Sequence, residues 1–113
     1  MALTPERKVK QQVVDLLKEH GVYYFFPAAN GLGRAGIPDI IACAWGSFLA
    51  IECKAGKGTT TKLQDKELNA IRRAGGTAMV INEDNVQALA PVLRLMFIYG
   101  GARDSSSQEG IEA

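Results

Sequence analysis

The residues run in the order helix, three strands, helix, strand, helix. That order predicts an α/β domain with a mixed four-stranded sheet flanked by helices. Two observations carry the prediction. Apolar, β-rich runs occur at 22–26, 40–43, 48–53 and 77–81, and apolar residues at helical spacing fill 9–17, 63–71 and 86–97. Glycine and proline punctuate the joints rather than the elements, with Pro91 the exception.

The first helix opens at Thr4-Pro5-Glu6, with Thr as N-cap, Pro in the first turn and an acid beside it. Val9, Val13, Leu16 and Leu17 form its apolar stripe, and Gly21 ends it after Lys18 and His20. His20 reads as a cation at the helix C-terminus, not a general base. As the only His, it leaves no nucleophile–base arrangement for covalent catalysis. Val22 to Phe26 is the first strand. The Gly-rich segment 28–36 lacks the Gly-Lys-Ser/Thr of a phosphate-binding loop, and a strand rather than a helix follows it. It is expected to form a mobile lip over a site. Thr61 can cap a second helix with a stripe through Leu63, Leu68 and Ile71, and Gly75-Gly76 stops it. Thr77 to Ile81 is a further strand. Asn85 to Tyr99 reads as a helix with Val86, Leu89, Ala90, Leu93 and Phe97 on one side, kinked or divided by Pro91. Residues 1–99 then make one domain, and the polar, Gly/Ser-rich 100–113 is expected to be a flexible tail.

A chain of 113 residues, 47% hydrophobic and 22% charged, suits one globular domain with one modest core. No apolar run approaches the roughly 18 residues of a membrane span, and residues 1–20 hold no signal-peptide core. Cys43 and Cys53 read as buried thiols in a reducing, cytoplasmic setting, and with one His they make a poor zinc set. The net charge of +1 does not announce nucleic acid, so any DNA binding must come from a local patch.

The informative stretch is the hairpin of Gly36 to Cys43 and Phe48 to Lys54. Asp39, Glu52 and Lys54 lie in otherwise apolar strands. Glu52 and Lys54 share one face, and Cys53 takes the other. A two-residue loop at Gly46-Ser47 sets Asp39 opposite Lys54; a loop at Trp45-Gly46 sets it opposite Glu52; a loop centred on Gly46 alone would separate the charges. Two clustered carboxylates repel each other, and burial adds to the cost. A hard cation such as Mg²⁺ removes both problems, and a lysine beside it can orient water or offset charge on a phosphate. The same residues could also form a plain salt bridge.

Pro38-Asp39, twelve intervening residues and Glu52-Cys53-Lys54 resemble the PD-(D/E)xK nuclease signature. Together with Gly36-Ile37 before them and Gln64 on the next helix, they are most similar to the VRR-NUC branch of that superfamily, over about residues 6 to 85. The resemblance implies a restriction-endonuclease-like core and a divalent-metal-dependent endonuclease cutting branched DNA such as four-way junctions. Asp39 and Glu52 would hold Mg²⁺ or Mn²⁺, with the main-chain carbonyl of Cys53 as a third ligand and Lys54 positioning water. VRR-NUC domains also place a Glu early in the first helix and a Gln at the second, matched here by Glu6 and Gln64. Glu6 could equally be a first-turn acid stabilised by the helix terminus. Standalone members are often viral, which would mean a host cytoplasm.

DNA phosphates would meet Arg34, Lys57, Lys62, Arg72 and Arg73; Arg34 could equally be a solvated loop residue, and the 55–62 turn an ordinary flexible loop. A homodimer would supply the two sites a junction needs, through the apolar run Val92–Tyr99 or the aromatic first strand. The alternatives are a DNA-binding subunit with an inert nuclease fold and a small interaction domain.

Overall fold

The computed structural model describes residues 3–28 and 33–100. The centre of the Gly-rich loop and the segment after Gly100, where a lip and a tail are expected, lie outside the described residues in whole or part. The element order is α1 (Pro5–Glu19), β1 (Tyr23–Phe25), β2 (Ile40–Ala44), β3 (Ser47–Cys53), α2 (Lys62–Arg73), β4 (Thr77–Ile81), a 3-10 turn (Val86–Ala88) and α3 (Leu89–Gly100). The sheet has the order β1-β2-β3-β4; the first two pairings are antiparallel and β3 runs parallel to β4. The mixed four-stranded sheet flanked by helices is therefore the fold. Among the described residues, no helix is long and apolar enough to cross a membrane.

The two sheet faces have different jobs. Leu49, Ile51 and Cys53 of β3 join Val9, Val13 and Leu17 of α1 and Leu89, Leu93 and Met96 of α3 in the main core. On the other face Ala50 meets Leu68 of α2 and Ala78 of β4, with Ile41, Ile71 and Val80 around them. Central β3 is thus covered on both sides, and its next residue on the α2 face is Glu52 rather than another apolar one.

The hairpin loop is Trp45-Gly46: Ala44 faces Ser47 and Ile40 faces Ile51. Both loop residues take positive φ, 49° and 87°. A type I′ turn requires this at both central positions, and it suits the twist of the strands. Trp45 tolerates the left-handed conformation while its ring meets Phe97 edge-on, centroids 5.1 Å apart. The alternative loop at Gly46-Ser47 is not used.

Several sequence expectations need correction. The first strand is three residues rather than five, because only Tyr23–Phe25 pair with β2. Leu63 is exposed, since the inward face of α2 is the stripe Gln64, Leu68, Ile71, four and three residues apart. In α3, Met96 replaces Phe97 in the core, and Phe97 turns out toward Trp45. Pro91 falls in the first turn of α3, where its missing N–H costs nothing; the 3-10 turn before it is the expected division. Cys43 is exposed, not buried, and both cysteines are free.

Gly36 lets the loop before β2 lie directly on the first turn of α2. Its φ is +85°, and a Cβ there would lie 2.5 Å from the carbonyl carbon and oxygen of Leu63 and 2.8 Å from the Gln64 nitrogen. No rotamer relieves a clash with backbone. Gly36→Ala is expected to lower stability by about 1–3 kcal/mol through strain and forced displacement of α2. Urea unfolding checks this; an unchanged midpoint would mean that the loop and helix are free to separate.

Candidate active site

The β2–β3 ladder ends at Ile40–Ile51, and beyond it side chains take over the bonding. The Cys53 N–H donates to Asp39 Oδ2 at 2.8 Å, and the Asp39 N–H donates to Glu52 Oε1 at 3.2 Å. Each acid therefore holds the other's strand end. The realised register sets Asp39 opposite Glu52, one step past the last pair.

Glu52 is 3% exposed, the only buried charged side chain among the described residues. Gln64 Nε2 donates to its Oε2 at 2.7 Å, and Lys54 Nζ lies 3.3 Å from the same oxygen. Lys54 is itself largely enclosed, with 14% of its side chain exposed. Its backbone is tied to the end of β4 by its N–H to Ile81 O, 2.9 Å. Burial pushes the Glu52 carboxyl up to about 7, and the Asp39 carboxylate adds to the rise; Lys54 and the Asp39 N–H pull it down only in part. Burial likewise raises the Cys53 thiol to about 12, with Asp39 and Glu52 adding to it. That thiol is on the α1 side of the sheet, so it contributes no thiolate here.

Gln64 is held at both ends. Its Oε1 accepts from the Thr61 N–H at 2.9 Å, while Thr61 Oγ1 accepts from the Gln64 N–H at 3.2 Å. This capping box starts α2 and aims the amide nitrogen of Gln64 at Glu52. The signal is present in the sequence as Thr-x-x-Gln, and reading Thr61 alone as the cap misses it.

The structure thus brings together Asp39, Glu52, the Cys53 backbone, Lys54 and Gln64. Glu6 is exposed in the first turn of α1 and makes no hydrogen bond to them among the described residues; its charge is felt at Cys53. The cationic candidates are scattered. Lys57 is exposed in the turn before α2 and Lys62 at the helix's first residue, whereas Arg72 and Arg73 sit at its far end, about 12 Å or more from Gln64 along the axis. Arg72 is engaged with Asn69 Oδ1 at 3.1 Å and Ala78 O at 2.8 Å. Arg34 pairs with Glu67 at 2.9 Å, though its side chain stays 80% exposed. In the 55–61 turn, the Gly56 N–H already donates to Glu83 at 2.7 Å.

A cavity of about 610 Å³ opens on Asp39, lined also by Pro38, Gly36, Phe26 and Lys10. Lys10 is not marked out by the sequence, where it looks like one more polar residue on α1. A groove of about 640 Å³ adjoins that cavity on the α2 face, among Phe25, Ile41, Phe48 and Ile71, and shares Arg34, Ile37 and Pro38 with it. Neither Asp39 nor Glu52 lines this groove.

The Glu52 carboxyl gives a pH signature. It ordinarily titrates near 4.5 and is raised to about 7 in the fold. Between those values the folded chain holds a proton that the unfolded chain has lost. Stability of the metal-free protein should therefore be greatest below about 4.5 as far as this group is concerned, and should fall as pH rises through 7. Denaturant melts from pH 5 to 8 in EDTA should show this decline, and Glu52→Ala should flatten it. An identical slope in the variant would assign the decline to other groups.

Comparison with known proteins bears on the family and the fold. A family model described as archaeal Holliday junction resolvase (Hjc) matches residues 6–91, spanning α1 to the start of α3. One solved VRR_NUC domain is 20% identical, with a TM-score of 0.66, over 77% of this chain and 95% of that one. A VRR_NUC domain protein is 22% identical, TM-score 0.62, over 88% and 93%. Hjc from Archaeoglobus fulgidus, described as a Holliday junction resolvase from an archaeal hyperthermophile, is 27% identical, TM-score 0.51, over 68% and 65%. No curated protein matches significantly. These structures share the restriction-endonuclease-like fold, as the PD-(D/E)xK signature implies. The chain belongs to the archaeal Holliday junction resolvase family.

Proposed function

We propose that this chain is a divalent-metal-dependent endonuclease that hydrolyses phosphodiester bonds in branched DNA, with the four-way junction as first substrate. One observation carries the reading: a buried carboxylate, Glu52, faces a second one, Asp39, with a lysine and a fixed amide on its remaining oxygen. A structural salt bridge needs one acid and one base. A second acid beside it raises its cost, unless a cation joins them.

The donor set suits a hard cation. Among the described residues, no three His, Cys, Asp or Glu side chains group as a metal-holding set. Asp39 and Glu52 would therefore be joined by the main-chain carbonyl of Cys53, with water and a substrate phosphate filling the other positions, as Mg²⁺ or Mn²⁺ commonly requires. When bound, such an ion acidifies a water and polarises a phosphoryl oxygen. Lys54 would orient the attacking water and offset charge as it builds on the phosphate oxygens. Gln64 would keep Glu52 in place from its fixed helix position. Glu6 would support the site from the first turn of α1.

Exposed Lys57, Lys62 and Arg73, with Arg34 and Arg72 where their present partners release them, would meet phosphates. A homodimer would bring two sites to one junction. The apolar surface for it is on α3, where Leu95, Phe97, Ile98 and Tyr99 are all more than half exposed.

Asp39→Ala, Glu52→Ala and Lys54→Ala should each abolish cleavage of a labelled four-way junction in Mn²⁺. Calorimetric Mn²⁺ binding should vanish in the first two and persist in the third. Gln64→Ala should slow cleavage without stopping it, and Glu6→Ala should cost more in rate than in stability. Full activity in any of the first three would overturn the assignment. Light scattering at micromolar protein should give a dimer mass; a monomer that cuts junction and plain duplex equally would remove the resolvase reading while leaving the metal site.

A further inference from the structure

A groove of about 410 Å³ runs between α1 and the edge strand β1. Arg7, Lys10 and Lys18 line it from the helix, and Tyr24 and Phe26 from the strand side. The three cations, with Val14 between them, are spaced three, four and four residues apart, which is one helical stripe. No acidic side chain lines the groove among the described residues. Lys10 Nζ sits 4.3 Å over the Phe26 ring, and Phe26 meets Tyr24 edge-on with centroids 5.8 Å apart. Lys10 and Phe26 also line the cavity that opens on Asp39, so the two hollows meet at that pair.

A row of cations beside an accessible ring suits an unpaired strand better than a duplex. In a duplex the base faces are stacked on one another, and only edges and phosphates are offered. An unpaired strand offers base faces to aromatic rings while its backbone follows the cations. Phe26 is 49% exposed, with Lys10 over one face of its ring. From Arg7 to Lys18 the stripe extends about 16 Å, at the helical rise per residue.

We propose that the α1–β1 groove binds an unpaired DNA strand beside the Asp39–Glu52 site, as a flap among branched DNAs offers, with Arg7, Lys10 and Lys18 on its phosphates and Phe26 against a base. That source of the strand rests on the nuclease reading; the binding does not.

The test is fluorescence anisotropy of the full chain with a labelled oligothymidine in EDTA, so that cleavage is silent. Lys10→Ala/Lys18→Ala should weaken binding roughly tenfold. It should also make the salt dependence shallower by about 1.4 in log K per log salt, because two phosphates then keep their counterions. Lys66→Ala/Arg94→Ala removes the same charge from α2 and α3 and should stay within about twofold. Phe26→Leu, which keeps an apolar contact for Lys10, should weaken binding about fivefold or more. If the first double variant melts early, Lys18→Ala alone, at an exposed position, should still weaken binding about threefold. Equal binding by the groove variants and the wild type, or equal weakening in the α2/α3 control, would overturn the proposal. Cleavage assayed in parallel separates the two readings. A chain that cuts DNA but shows no groove effect keeps the nuclease and loses the groove; a chain that cuts nothing but shows the groove pattern does the reverse.

Discussion

A carboxylate buried at the end of the central strand constrains much of this molecule. Glu52 follows Ala50 on the face that α2 covers, where the fold would otherwise set an apolar side chain. Its charge cannot be left without partners there. Asp39, Lys54 and Gln64 come from three different stretches of the chain to meet it. Each is placed by a local device. The type I′ turn at Trp45-Gly46 sets the register that brings Asp39 opposite Glu52. The capping box at Thr61 starts α2 and points Gln64 inward. Lys54 is held where its N–H bonds to the end of β4. Gly36 lets the loop before Asp39 lie directly on the backbone at Leu63-Gln64.

These devices make the site expensive without a cation. Glu52 is raised to about 7 even with a lysine beside it, because burial and Asp39 outweigh Lys54. Two acids held this way add nothing to stability that a well-packed apolar pair would not add more cheaply. Such a cost is common at sites kept for function.

Much of this is legible in the sequence. Apolar, β-rich runs and helical stripes name the strands and helices, and Asp39, Glu52 and Lys54 stand out as charges inside apolar runs. Gln64 is reached only through resemblance, although its Thr-x-x-Gln box is a local signal. The hairpin register stays open among three loops, because a Trp in the left-handed region is uncommon and no propensity favours it. Leu63 and Phe97 fit stripes that the helices do not use, since a stripe is defined by where the helix starts and what it packs on. The cations along α1 are hidden for a different reason: Lys10 gains meaning only from Phe26, which is distant in the chain and on the far side of a turn.

The direct measurement is the fate of labelled DNA with the unmodified chain. Four-way junction, flap, duplex and single strand would each be incubated with Mg²⁺, Mn²⁺ or EDTA. Cleavage is expected with either metal, fastest on the junction, with intact DNA in EDTA. Intact DNA under every condition, or cleavage that proceeds unchanged in EDTA, would contradict that expectation.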